Sequence, residues 1–441
     1  MKNEILIKNT TVWTGGEKGK LLKNHSVLIS QGKIKKIAPY AKIKEKAAKT
    51  LDGKGKLLMP GFINAHMHFY STLARGLNKI KPSKNFTEIL ENLWWKLDKK
   101  LTKDASYYSA LIPLITAVRK GTTTLIDHHA SPYHIKGSLF EIEKGVRETG
   151  LRSALCYEVS DRDGEEKTKE GIKENLSFIE HAAKINDNRI KALFGLHASF
   201  TLSDKTLEQA AAYERNFKCG FHVHCAEAQA DQINSETLRN MRVVERFDKF
   251  GILGPKTILA HCVHINEREM DLISQSQSAV VHNPQSNANN SVGIADIIKM
   301  KEKGILFGLG TDAMTVNMTE ELRCGLWLQH LKNDPSKGFA EICQALTVNN
   351  AKIANRYFEK IGEIKEGWEA DLILIDYIPC TPFETDNFYG HLVFGISQSQ
   401  VDTTISGGKI LMENKKIKLN LDEEKINKKA AEIAKKIWSS F

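Results

Sequence analysis

The chain has 441 residues, of which 41% are apolar and 26% charged, with a net charge of +10. That length exceeds one ordinary domain, and the apolar share is enough for a large core. No apolar run is long enough to span a bilayer, and the lysines are spread along the chain without the interleaved aromatics of a single-strand groove, so membrane and nucleic-acid partners are excluded and a small molecule is expected. The seven cysteines, Cys156, Cys219, Cys225, Cys262, Cys324, Cys343 and Cys380, form no CxxC pair. Such an odd, scattered set signals neither a zinc knuckle nor a redox motif and suits a reducing cytoplasm. The start, Met1-Lys2-Asn3-Glu4-Ile5-Leu6-Ile7, lacks the long apolar segment of a signal peptide and reads as a strand.

Residues 1–58 alternate or cluster β-formers between glycine breaks, as in Ser26-Val27-Leu28-Ile29 before Gly32. The same texture returns in Ala370–Ile375 and Val401–Ile410, so segments 1–58 and 364–415 are expected to build one composite β-sandwich domain. Between them, β-runs at 60–68, 121–129, 152–159, 190–198, 219–227, 257–262, 279–284 and 305–312 alternate with helical stretches. Eight such βα units predict an α/β fold, a (β/α)8 TIM barrel over residues 59–363. The long gap after the first strand holds an insertion with Trp94-Trp95 and a helix near 104–119. Residues 422–439 predict an amphipathic helix with Ile426, Ala430, Ile433 and Ile437 near one face. That helix would pack on the barrel or serve a homodimer contact.

Metal-competent side chains recur where these strands end. Strand 1 ends in His66 and His68, strand 5 in His224 and Glu227, strand 6 in His261, and strand 8 in Asp312. Residues i and i+2 of a strand share one face, so His66 and His68 can point at a single ion. In a parallel barrel the C-terminal strand ends meet at one face, where active sites form. Taken singly, His224 reads as a core histidine, Asp312 as a helix N-cap and Glu227 as a turn residue. Their recurrence on four strand ends favours one shared site.

These residues resemble the amidohydrolase superfamily. The motifs are Pro60-Gly61-Phe62-Ile63-Asn64-Ala65-His66-Met67-His68, Gly121-Thr122-Thr123-Thr124, His222-Val223-His224-Cys225-Ala226-Glu227, Ala260-His261-Cys262-Val263-His264, His282-Asn283-Pro284-Gln285-Ser286-Asn287 and Gly310-Thr311-Asp312. Within it the chain resembles the branch of aminohydrolases and chlorohydrolases acting on nitrogen heterocycles. The SsnA group is the most similar, on Glu91–Asp98, Asp127–Pro132 and Tyr157–Gly164. Two-metal members bridge their ions with a carboxylated lysine at the end of strand 4; here Lys191 stands at the start of that strand and His197 at its end. The resemblance therefore implies one divalent ion, zinc or else iron, held by His66, His68, His224 and Asp312. It further implies hydrolytic deamination of a purine, pterin or similar ring, with Asp312 accepting the proton of metal-activated water, Glu227 shuttling protons to ring and leaving amine, and His261 orienting the nucleophile. A chlorohydrolase or cyclic amide hydrolase would use the same ion, and a scaffold without catalysis would lack ligands that this chain retains. Substrate contacts are expected from Trp94, Glu158, Arg162, His197 and Gln285 in the βα loops. His128, His129 and His282 are expected behind the ligands. The loop Ala288-Asn289-Asn290-Ser291-Val292-Gly293 departs from related deaminases.

Overall fold

The two ends of the chain meet in one sheet. In the computed structural model, which describes residues 4–78 and 80–441, Leu57–Pro60 pairs in parallel with Glu4–Trp13 on one side and antiparallel with Leu372–Ile375 on the other. Leu21–Ser30 and Lys33–Pro39 extend the first arm, and Val401–Ser406, Lys409–Glu413 and Lys416–Ile417 the second, with Lys49–Asp52 beside Glu4–Trp13. The expected sandwich is thus one continuous nine-stranded sheet. It has its own core, with Ile7, Val27, Leu58, Leu372 and Ile405 buried together.

Eight parallel strands follow, labelled here β1 (Phe62–Met67), β2 (Thr122–His129), β3 (Arg152–Tyr157), β4 (Ile190–Ala192 and Phe194–Ala198), β5 (Phe221–Cys225), β6 (Ile258–His261), β7 (Ala279–His282) and β8 (Phe307–Leu309). Strand β4 is broken at Leu193: its first piece pairs with β3 and its second with β5. The break has a local cause. At Gly195 the backbone passes so close to β3 that a Cβ would lie 2.3 Å from the Tyr157 carbonyl oxygen. The Asn175 side chain spans this seam, accepting from Tyr157 N at 2.8 Å and donating to the Tyr157 carbonyl at 2.8 Å. Parallel bridges Val159–Leu196 and Met67–Asp312 close the ring.

Helices cover the barrel outside. Lys103–Lys120, capped by the Thr102 side chain, ends at Gly121 with φ +73°, a conformation that glycine adopts freely. The last helix, Glu423–Trp438, buries Ile426, Ala430, Ile433 and Ile437, with Ile426 packed on Leu111 and Ile115 of Lys103–Lys120. Its Trp438 Nε1 donates to the Leu73 carbonyl at 2.8 Å. Among the described residues, no helix is long and apolar enough to cross a membrane.

At the barrel end where strands begin, Arg152 joins the two sheets. It is 1% exposed, yet every branch is engaged. Nε donates to Asp371 Oδ2 at 2.5 Å, Nη1 to the Asn188 carbonyl at 2.7 Å and Nη2 to Glu369 Oε2 at 2.6 Å.

Candidate active site

At the opposite end the strand termini bring six predicted side chains together. His66 and His68 come from the end of β1 and the residue after it, His224 from β5, His261 from β6, Asp312 from just beyond β8 and Glu227 from just beyond β5. All six are buried. His261 and Asp312 hold left-handed backbone, φ +74° and +51°. Such conformations are uncommon for residues with a side chain and cluster at functional sites.

Hydrogen bonds behind the imidazoles fix where their lone pairs point. Nδ1 of His68 lies 2.6 Å from the His128 carbonyl, and Nδ1 of His224 lies 2.9 Å from the His197 carbonyl. A carbonyl only accepts, so each Nδ1 carries a hydrogen, and in the neutral ring each Nε2 is bare. His261 Nδ1 donates in the same way to Asn287 Oδ1 at 2.7 Å. His66 Nδ1 lies 2.8 Å from His222 Nε2, and its own Nε2 is buried without a partner. On the front, His68 Nε2 stands 3.1 Å from His224 Nε2 and 2.9 Å from Asp312 Oδ1, and His66 Nε2 stands 3.5 Å from Asp312 Oδ1. Ser286 Oγ donates to the other Asp312 oxygen. Lone pairs this close repel unless a cation lies among them.

The donor set fits a metal ion. One ligand atom each from His66, His224, His261 and Asp312 lies within 4.8 Å of the others, and a second such group joins His68, His128, Glu158 and His224. Tetrahedral ligands at roughly 2.0–2.1 Å from zinc lie about 3.3 Å apart, close to the spacings above. Burial lowers the basicity of His68, but the Asp312 carboxylate outweighs it and pushes the ring up to about 9. Burial likewise works against ionised Asp312, and the His66 and His68 rings hold it well below the ordinary carboxylate range. The field of this cluster calls for positive charge.

Glu227 is the exception. Burial and then the Asp312 charge push its carboxyl well above the ordinary range, which favours a held proton. Its Oε2 stands 3.5 Å from His261 Nε2, and Oε1 accepts from Asn290 Nδ2 at 3.4 Å. Asn290 belongs to the loop Ala288-Asn289-Asn290-Ser291-Val292-Gly293 that follows β7.

A cavity of about 220 Å³ opens beside the cluster, reached by His68, His224, Glu227 and Asp312. Tyr70, Phe86, Trp94, Trp95 and Phe200 line it, together with Glu158 and His197. Three of the five residues expected at a substrate, Trp94, Glu158 and His197, stand there. The other two stand elsewhere. Arg162 stands behind the cavity wall, with Asp98 Oδ2 2.5 Å from its Nη2 and its guanidinium over the Trp95 ring. Gln285 follows β7 on the far side and lines a separate groove with Arg323 and Trp327. Asp98, which pairs with Arg162, and Phe86 and Phe200 are among the wall residues that the sequence analysis did not assign to the substrate. His128 supplies its carbonyl to His68, and both of its ring nitrogens are buried without partners. His282 approaches Asn287 Nδ2 at 3.3 Å, behind His261.

A sequence model of the amidohydrolase family matches residues 57–411. The chain belongs to the amidohydrolase family. A 5'-deoxyadenosine deaminase of Methanobrevibacter smithii is 33% identical over 97% of this chain and 97% of its own length. A 5-methylthioadenosine/S-adenosylhomocysteine deaminase of Dictyoglomus thermophilum is 33% identical over 88% of this chain and 89% of its own. An adenosine deaminase of Xanthomonas campestris with bound zinc shares the fold at a TM-score of 0.87 and 20% identity, covering 99% of this chain and 98% of its own. This amidohydrolase therefore stands in the aminohydrolase branch, with a His/Asp cluster able to hold a metal and a cavity for a small molecule.

Proposed function

We propose that this amidohydrolase deaminates an amino-substituted nitrogen heterocycle by hydrolysis at one zinc ion. The observation that carries the reading is the ring of bare acceptors, His66 Nε2, His68 Nε2, His224 Nε2 and Asp312 Oδ1, beside a cavity that Glu227 enters. These four residues would hold the ion, which supplies water activated as a nucleophile at neutral pH. Three imidazoles and a carboxylate suit zinc, and iron is the alternative.

The protein's own groups then manage protons. Asp312 accepts one from the nucleophilic water while Ser286 holds its carboxylate in place. Glu227 gives its proton to the ring nitrogen next to the amino-bearing carbon. As the carbon–oxygen bond forms and the carbon–nitrogen bond breaks, the proton taken by Asp312 passes to the leaving amine, which departs as ammonia, and the proton left on the new hydroxyl returns to Glu227 as the carbonyl forms. His261, held through Asn287, orients the attack from the side facing Glu227. The aromatic lining of Tyr70, Trp94, Trp95 and Phe86 suits a flat ring. Seven free cysteines support a reducing, cytoplasmic setting.

The test couples metal analysis of the purified protein to an ammonia-release screen over purines and pterins. Near one equivalent of metal with ammonia release supports the reading. Chloride release from chlorinated rings without any ammonia would replace it with the chlorohydrolase alternative.

A further inference from the structure

Three of the groups that the proposed reaction uses, Asp312, His261 and Glu227, are gripped by one short helix and the residue after it. The helix, Pro284–Asn289, follows β7 and ends at Asn290. Its Ser286 hydroxyl donates to Asp312, and its Asn287 accepts from His261 Nδ1 at 2.7 Å. Asn290 holds the third group. Its Nδ2 donates to Glu227 Oε1 at 3.4 Å and to Ser286 Oγ at 3.3 Å. An amide nitrogen carries two hydrogens, so it serves both acceptors at once. Residues four apart on a helix are neighbours on its surface, which brings Asn290 to Ser286. The amide is itself fixed. Asn289 Nδ2 donates to Asn290 Oδ1 at 3.1 Å, and the Asn290 backbone N–H donates to the Ser286 carbonyl at 2.8 Å.

Glu227 depends on this hold. Its backbone is set next door by Ala226, with φ +47° and an N–H that donates to Asp231 Oδ2 at 3.0 Å. A glutamate side chain still has rotamer freedom to lose beyond its backbone. Among the described residues, Asn290 supplies the one hydrogen bond to that side chain. His261 Nε2 stands 3.5 Å from Oε2, too far for a strong hydrogen bond.

We propose that Asn290 is a positioning residue: by tying the Glu227 carboxyl to Ser286, and through it to Asp312, it keeps the two proton-handling carboxyl groups at one spacing about the reacting carbon. This rests on the deaminase reading above. A group that hands a proton to a ring nitrogen must stand within hydrogen-bond reach of it, and a misplacement of about 1 Å can cost on the order of 10²-fold. Asn290 transfers no proton; its effect passes through Glu227.

Asn290→Leu and Asn290→Ala test it in the zinc-loaded enzyme, on a ring from which the parent releases ammonia. Both remove the donor and differ in bulk, so a shared loss traces to the amide and not to the shape of the cavity wall; should one fail to fold, the other carries the test. Each should lower kcat about 10–10²-fold, with KM and metal content within about threefold of the parent. The same substitutions in Glu227→Gln, read in single turnovers with enzyme in excess so that slow rates are measured, should lower the rate less than about threefold, because effects that act through one shared partner do not add. A kcat within about threefold of the parent overturns the inference. So does a loss that recurs in full in the Glu227→Gln background, which marks a general structural role, and so does a loss that follows metal content or KM instead of kcat. Ammonia from no ring with the zinc-loaded parent overturns the deaminase reading and the inference with it, whereas turnover by the parent beside unchanged variants overturns the inference alone.

Discussion

The two ends of the barrel treat buried charge in opposite ways. Where the strands begin, Arg152 is fully enclosed and each branch of its guanidinium finds an oxygen. Where they end, His66, His68, His224 and Asp312 crowd acceptors against acceptors, and His66 Nε2, His261 Nε2 and Glu158 Oε2 have no partner at all. Each end is equally deep, so burial alone does not distinguish them. The starting end is complete as protein, whereas the finishing end leaves polar atoms unpaired that the proposed ion and substrate would satisfy. A barrel can carry both because hydrogen bonds behind each imbalance, from the His128 and His197 carbonyls, Asn287 and Ser286, keep the ligands aimed.

The contrast can be broken from the incomplete end first. Dialysis against a chelator should abolish ammonia release, and added zinc should restore it; turnover that survives with no detectable metal would end the single-ion account. Glu227→Gln should lower kcat by roughly 10²–10⁴-fold with metal content unchanged, since Glu227 meets the ion's ligands only through charge and His261; kinetics alongside metal analysis decides it. At the complete end, Arg152→Ala should leave Asp371 as an uncompensated buried carboxylate and cost about 3–5 kcal/mol in denaturant unfolding, while kcat per folded molecule stays near the parent value. Loss of turnover without loss of stability would mean that the two ends are coupled. The smallest effect is expected from Ser286→Ala, which frees one oxygen of Asp312. Metal affinity should fall about 10–100-fold in a chelator competition, with little change in thermal midpoint.

Much of this was legible in the sequence because the signals are periodic. All eight barrel strands fall inside the β-runs read from the sequence, and the strand-end residues His66, His68, His224, Glu227, His261 and Asp312 converge as parallel topology requires. What lay hidden was set by contacts between distant segments. The break in β4 depends on Gly195 passing the Tyr157 carbonyl, which no local pattern announces. Arg162 reads as a substrate contact from its loop, yet Asp98, 64 residues earlier in the chain, takes its guanidinium. Gln285 lies one residue before Ser286, which holds Asp312, but faces the other side of the turn. Asn290 sits in the divergent loop, and only the fold reveals that it touches Glu227.

The hydrogen bond from Trp438 to the Leu73 carbonyl ties the last helix to the segment just after His68. His66 and His68 therefore wait until Trp438 has been made before the segment that follows them is braced. Folding from the N-terminus during synthesis can build β1 to β3, but the enclosure of the candidate site is a late event, closed by β8 and braced afterwards through Trp438.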